Sequence, residues 1–258
     1  MNGLGGKKEG GETGGDPEAF RARPNRLTTE RLELVPLTLD EFALYLSDVD
    51  AFAGALRLAE PPSEPDAETS AAFNWLFENA LALDAASLCW STLWAAILRS
   101  ENRVAGFLCF KGPPRPLFDF LETAPNFKID VETVAPDAVN GNAQTAETAV
   151  NGNAQGGASA DNIVDASALT AVVEIGYGVD EAFRGRGMAT EAVGALVDWG
   201  REREGVGAFL AETLTANLPS RRVLEKCGFR RCGASADALF WRVDVSERTD
   251  RANENRVF

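Results

Sequence analysis

The stretch EIGYGVDEAFRGRGMATEA, Glu174 to Ala192, passes from a strand-like alternation through Arg184-Gly185-Arg186-Gly187 straight into a helical pattern. In AVVEIGYGV, residues 171–179, Val173, Ile175 and Tyr177 share one face of a strand, while Val172, Glu174 and Gly176 share the other. Downstream, Ala189, Ala192, Val193, Leu196 and Trp199 or Gly200 recur at helical spacing, and Glu191, Asp198 and Glu202 form the polar face. A strand that turns into a helix leaves the first helical N–H groups unpaired at the positive end of the helix dipole, so the turn is suited to an anion. Glycines at 185 and 187 remove Cβ atoms that would hold a phosphate away, and Arg184 and Arg186 add charge. The same turn also reads as a glycine bend bearing two solvated arginines. The Gly-Lys-Ser/Thr of a Walker loop and the three spaced glycines of a dinucleotide fingerprint are both missing.

The flanking sequence places this unit inside one α/β domain. RLELVPL (31–37) alternates as an edge strand interrupted by proline, and TLDEFALYLSD follows as a short helix carrying Phe42, Leu44 and Leu46. Residues 66–83 form a second helix with Ala72, Trp75, Leu76 and Ala80 on one face. The apolar runs 93–98 and 104–110, joined by RSENR, predict a β-hairpin. After the opening unit come a strand in VGAFLAETL, then a helix in NLPSRRVLEKCGF with Asn217 as N-cap, Pro219 in its first turn and Gly228 as its stop. A last alternating strand, ALFWRVDV, completes the domain, which is read as 27–245 between a Gly-rich disordered tail (1–26) and a polar tail (246–258).

Residues 113–170 interrupt that order. The segment begins Pro-bearing, turns Asn/Ala/Gly-rich, and holds eight Asp/Glu against two Lys/Arg. AVNGNAQTAET (138–148) is followed at once by AVNGNAQGGAS, a tandem unit too short for a solenoid. Low apolar content makes a partly mobile insertion the reading here, with a pair of small hairpins as the other.

Composition removes most chemistries. With no histidine in 258 residues, Ser-His-Asp and Cys-His nucleophiles, HExxH zinc sites and histidine bases are excluded, which leaves a carboxylate, lysine or tyrosine as base. Cys89, Cys109, Cys227 and Cys232 show no CxxC pairing and read as buried free thiols, so no metal is expected. A net charge of −14 opposes nucleic-acid binding. No apolar run reaches membrane-span length and no signal peptide is visible, so a cytoplasmic location is expected.

RGRGMA meets the Arg/Gln-x-x-Gly-x-Gly/Ala pattern through Arg184, Gly187 and Ala189, and so resembles the pyrophosphate loop of the GNAT acetyltransferases. EIGYGVD before it, NLPSRRVLEKCGF after the next strand, and LTTERLELVPLTLDE near the start are similar to the ribosomal-protein N-terminal (RimJ/RimL-like) branch of that superfamily. The resemblance spans about Leu27 to Val245 outside the insertion. It implies an α/β fold of the acyl-CoA N-acyltransferase type, a mixed, mostly antiparallel central sheet flanked by helices, with a low-complexity insertion before the central strand.

Further, it implies an enzyme that transfers an acetyl group from acetyl-CoA to a primary amine, on a protein N-terminus or a small molecule, by direct attack. Backbone amides of Arg184, Gly185, Arg186, Gly187, Met188 and Ala189 would hold the pyrophosphate, and Val179 would pair with the pantetheine arm. Asn217 and Ser220 match the family's Asn-x-x-Ser near the thiol, although Asn217 also reads as a plain helix cap and Ser220 as a first-turn polar residue. Glu174 matches the glutamate before Ile/Leu-Gly-Tyr and is the candidate base; its bland reading is a structural glutamate paired with a nearby Arg or Lys. The general acid stays unassigned, because only Tyr45 and Tyr177 could be a tyrosine acid and Tyr45 lies in a surface-like helix. A non-catalytic acyl-CoA-binding sensor or scaffold remains the alternative, and a homodimer is left open.

Overall fold

The computed structural model describes residues 24–124, 127, 129 and 171–246. The tandem repeat, most of the expected N-terminal tail and nearly all of the C-terminal one lie outside the described residues. One large sheet runs in the order β1-β2-β3-β4-β6-β7-β9-β8. Its strands are β1 Leu27–Thr28, β2 Leu32–Pro36, β3 Leu93–Leu98, β4 Arg103–Phe110, β6 Ala171–Val179, β7 Ala208–Leu214, β8 Arg230–Ala234 and β9 Ala238–Asp244. A two-residue strand, β5 Arg115–Pro116, pairs with the start of β6. Every pairing is antiparallel except β6 with β7. The mixed, mostly antiparallel sheet expected from the sequence is therefore present. β2 is shielded from the edge by β1, and Pro36 ends the strand rather than interrupting it.

Helices cover both faces, which is why the central strands are apolar on both sides. β3 alternates its six buried residues between two cores: Trp94, Ala96 and Leu98 turn to one, Leu93, Ala95 and Ile97 to the other. The first core lies under two helices that follow the central strand, numbered below. The second lies under the N-terminal helices α1 Leu39–Ser47, α2 Val49–Leu56 and α3 Ala67–Ala80.

Thr38 opens α1 with a capping box: its hydroxyl accepts from the Glu41 N–H while the Glu41 carboxylate accepts from the Thr38 N–H. The expectation of a surface-like helix fails at Tyr45, which is buried with its ring 4.3 Å from that of Phe107. α2 was not expected. Asp48 both ends α1 and caps α2 through its side chain, and Arg57 closes α2 at φ 56°, a left-handed turn made without the usual glycine.

The segment after β4 is ordered further than its composition suggests. Right after Pro116 comes α4, Leu117–Thr123, and Leu117, Phe120 and Phe127 pack with Val172, Leu210 and Phe240 in a third core. The Phe127 and Phe240 rings lie 4.5 Å apart. The next helices are α5 Met188–Arg201 and α6 Leu218–Lys226.

Candidate active site

Where β6 and β7 run side by side, only four residue pairs match, Val172 with Ala208 through Ile175 with Ala211. Past that point β6 stays on β4 as far as Val179, and β7 stays on β9 as far as Leu214. The two middle strands thus part and leave a wedge between them. Lys111 donates its N–H to Glu174 O (2.8 Å) and Asp180 donates to Ala105 O (2.9 Å), so the peptide groups of Glu174, Gly176, Gly178 and Asp180 face β4. By the alternation of an antiparallel ladder, those of Tyr177 and Val179 face the wedge. Val179 O accepts from Arg184 Nε at 3.2 Å.

At the mouth of the wedge stands the Arg-Gly turn. Gly187 is the N-cap residue of α5 at φ 79°, and Gly185 sits at φ 72°. Both angles lie where an L side chain is strained, which explains the glycines independently of any ligand. Among the described residues no side chain caps the first turn of α5, so its N–H groups face outward. A lattice of contacts from the start of the domain holds the turn. Arg31 Nη1 donates to Arg186 O (2.8 Å), and Glu191 Oε2 accepts from Arg31 Nε (2.7 Å). Glu191 Oε1 accepts from the Arg31 N–H (2.8 Å) and from Thr29 Oγ1 (2.5 Å). Burial alone would raise the Glu191 carboxyl, but these hydrogen bonds outweigh it and hold it below the usual carboxylate range. The Arg186 side chain reaches toward Glu101 at 3.6 Å.

α6 closes the other side. Asn217 caps it, its side-chain oxygen accepting from the Ser220 N–H at 3.1 Å, and Ser220 O accepts from Tyr177 Oη at 2.9 Å. That bond spans the wedge from β6 to α6. Burial pushes the Tyr177 phenol well above its ordinary value, so it stays protonated at neutral pH.

Glu174 lies on the opposite face of β6, in the wall of a cavity of about 510 Å³ between the sheet and α3. Phe73, Trp75, Leu76, Leu93 and Phe107 supply its apolar surface, and Gly176 and Gly178 lie along its floor. Glu174 Oε1 accepts from Lys111 Nζ at 2.5 Å. Burial works against the Lys111 charge, yet the Glu174 carboxylate beside it prevails and the ammonium titrates above the ordinary lysine range. Cys109 lines the same wall, where burial pushes its thiol up to about 11. A second space of about 340 Å³ adjoins the cavity at Phe73, Phe107 and Gly178 and extends past Val179 and Asp180 to Arg184.

The structure therefore gathers Val179, Arg184 to Ala189, Asn217 and Ser220 around the wedge, and sets Glu174 across β6 in the cavity. Sequence reasoning missed Lys111, the partner of Glu174. It comes opposite Glu174 through the β4–β6 register, which continues one residue past the Phe110–Ile175 pair. Arg31 was missed for a different reason, since 160 residues separate it from Glu191. Among the described residues there is no group of His, Cys, Asp or Glu placed to hold a metal ion. No helix among them is long and apolar enough to cross a membrane.

Residues 138–230 match the family model of the acetyltransferase (GNAT) domain. Two curated proteins of Bacillus subtilis are similar over the same order of length. One is a probable N-acetyltransferase, YjcK, 37% identical over 83 residues, 30% of this chain and 46% of that protein. The other is an uncharacterized N-acetyltransferase, YjdG, 34% identical over 70 residues, 27% of this chain and 42% of that one. The chain spans less than half the length of each of these relatives. The solved structure of the ribosomal L7/L12 α-N-protein acetyltransferase RimL in complex with coenzyme A aligns with 84% of this chain and 96% of its own, at 15% identity and a TM-score of 0.46. Over residues 138–230, then, the chain is similar to the acetyltransferase (GNAT) domain.

Proposed function

We propose that the protein is an acetyl-CoA-dependent N-acetyltransferase in which a primary amine attacks the thioester directly. The observation that carries this reading is the parting of β6 from β7 after Ile175 and Ala211, with the uncapped N-terminus of α5 at its mouth. The Arg184 N–H is taken by Glu181 O (3.3 Å), but those from Gly185 to Ala189 offer a pyrophosphate several donors and no competing carboxylate oxygen, and the dipole of a 14-residue helix favours the anion. Val179 and Tyr177 present strand-like peptide groups to the pantetheine amides. Asn217 and Ser220 approach the thiol end from α6.

In the transfer, the amine nitrogen bonds to the thioester carbonyl carbon, the C–S bond breaks and the sulfur leaves as a thiolate, and the second proton of the attacking nitrogen passes to that thiolate, relayed through Ser220 Oγ or solvent. A backbone N–H of β6 near Val179 receives the carbonyl oxygen as it gains charge. An alkyl amine arrives protonated, so one proton must leave before attack. Glu174 takes it through water. Lys111 cannot, because the neighbouring carboxylate keeps it charged. Cys109 offers no thiolate at neutral pH, which fits direct attack rather than an acyl-enzyme.

One observation favours a second reading, a module that binds acyl-CoA without turnover: Glu174 is held in an ion pair, as a purely structural glutamate would be. Calorimetric titration with coenzyme A combined with thiol release from acetyl-CoA in the presence of amines separates the two. Binding with amine-dependent release supports the enzyme, binding without release the module, and no binding rejects both.

A further inference from the structure

Among the described residues, the acceptor cavity is not lined as the acidic cleft that a chain of net charge −14 leads one to expect: its charged residues there are Glu174, Lys111 and Arg115. The first two neutralise one another in their ion pair. Arg115 is left over: its Nη1 donates to Thr123 Oγ1 at 2.7 Å and its guanidinium carbon sits 4.9 Å from the centroid of the Phe120 ring, but among the described residues it meets no carboxylate. A polycationic amine would enter against this charge. An amine that carries its own carboxylate would be drawn in by it.

Position fixes which way such a molecule lies. Arg115 pairs with Val172, two residues before Glu174 on the same face of β6, so the two side chains start about 7 Å apart along the strand. Directly beyond Glu174 in the same direction β6 parts from β7, after Ile175, and the inner end of the wedge opens beside Gly176. The order along the cavity floor is guanidinium, carboxylate base, reacting end. Its apolar wall comes from α3 and β4, with Phe73, Trp75, Leu76 and Phe107 facing the space. A volume of about 510 Å³ suits one small molecule.

We infer that the acceptor is a free α-amino acid with an aromatic or branched apolar side chain, bound with its carboxylate on Arg115, its side chain against the α3 wall and its amine directed past Glu174 toward the thioester. The inference rests on the proposed acetyl transfer for its chemistry, but not for the binding site itself. A guanidinium binds a carboxylate with two parallel hydrogen bonds, and a site built for that charge rejects the analogue lacking it.

The first arm of the test is therefore independent of catalysis. Calorimetry with N-acetylphenylalanine and with N-acetylphenylalaninamide should show the acid bound about 10- to 100-fold more tightly. Arg115→Gln should abolish the difference and Arg115→Lys should restore part of it. The second arm follows thiol release from acetyl-CoA with phenylalanine, phenylalaninamide, a Phe-Ala-Ala peptide amide and spermidine. Phenylalanine should give the highest kcat/KM, and Arg115→Gln should raise its KM about tenfold or more with kcat little changed. Equal affinity of acid and amide, the same preference in Arg115→Gln, or faster turnover of the peptide or of spermidine overturns the assignment. If the acid binds through Arg115 yet no acceptor releases thiol, the binding site stands and the acetyl-transfer reading falls.

Discussion

Glu174 Oε1 lies 2.5 Å from Lys111 Nζ, across the pair of strands that carries the cavity floor. This contact joins the glutamate most exposed to chemical interpretation in the sequence to a lysine that the sequence did not single out. The Glu174 side chain is 13% exposed, against 37% for that of Lys111, so the glutamate is the more enclosed partner. The carboxylate is thereby fixed in one orientation at the cavity wall.

A lysine whose folded-state pKa is raised contributes stability that is fully present below its unfolded value, about 10.4, and is lost as pH climbs through the folded value. Glu174→Gln removes that contribution at every pH. The gap in Tm between wild type and Glu174→Gln should therefore be widest near neutrality and narrow above roughly pH 10.5. Thermal unfolding followed from pH 7 to pH 11.5 checks it; a gap that stays constant would mean that the pair adds nothing to the fold.

Glu191 works in the other direction. Its depressed pKa means stability that is present above the unfolded value, about 4.3, and is lost as pH falls through the folded value. Glu191→Gln should cost about 1–3 kcal/mol at neutral pH, with the deficit shrinking below about pH 4. Because Arg31 also fixes the carbonyl of Arg186, Arg31→Ala should weaken coenzyme A binding by about tenfold, the loss of one hydrogen-bonded support of the turn. Urea denaturation across pH and calorimetry with coenzyme A measure the two effects separately.

The sequence was legible wherever one local rule dominated. The β3–β4 hairpin, the 171–179 strand, α5 and the Asn217 cap of α6 all lie where periodicity or capping chemistry placed them, because each is set by neighbours within a few residues. α2 was illegible since one residue, Asp48, serves two helices and a non-glycine residue, Arg57, closes the second. α4 was hidden by the prolines at 113, 114 and 116, which mark a loop in sequence but here lead into a helix whose Phe120 is buried. The candidate site split in the same way. The turn and the α6 cap are contiguous motifs, whereas Lys111 and Arg115 reach Glu174 only through strand register, and Arg31 reaches the turn only through the tertiary fold.

Gly200 offers a test of the packing between α5 and the sheet. A Cβ placed there would stand 2.7 Å from Cζ of Phe209. In an open helix, alanine for glycine gains about 1 kcal/mol; here the overlap should reverse the sign, and Gly200→Ala should lose about 1–3 kcal/mol. Chemical denaturation decides between the two signs.

The segment after β4 should divide energetically at Phe127. Phe127→Ala empties a contact with Phe240 in the third core and should cost about 3 kcal/mol. Replacing residues 135–159 with a short Gly-Ser linker should leave Tm nearly unchanged, since β5 and β6 already bring the ends of the segment together and each doubling of loop length costs only about 0.6 kcal/mol. Comparable losses from both changes would show that the second stretch also supports the core.

The role of Glu174 in acetyl transfer is tested most directly by stopped-flow thiol release from acetyl-CoA, wild type against Glu174→Gln, with a saturating amine acceptor between pH 6 and pH 10. The account predicts unchanged coenzyme A affinity and a kcat lower by about 10²- to 10⁴-fold at neutral pH, with the deficit shrinking as the amine loses its proton to solvent at higher pH. Equal rates for the two proteins at neutral pH would contradict it.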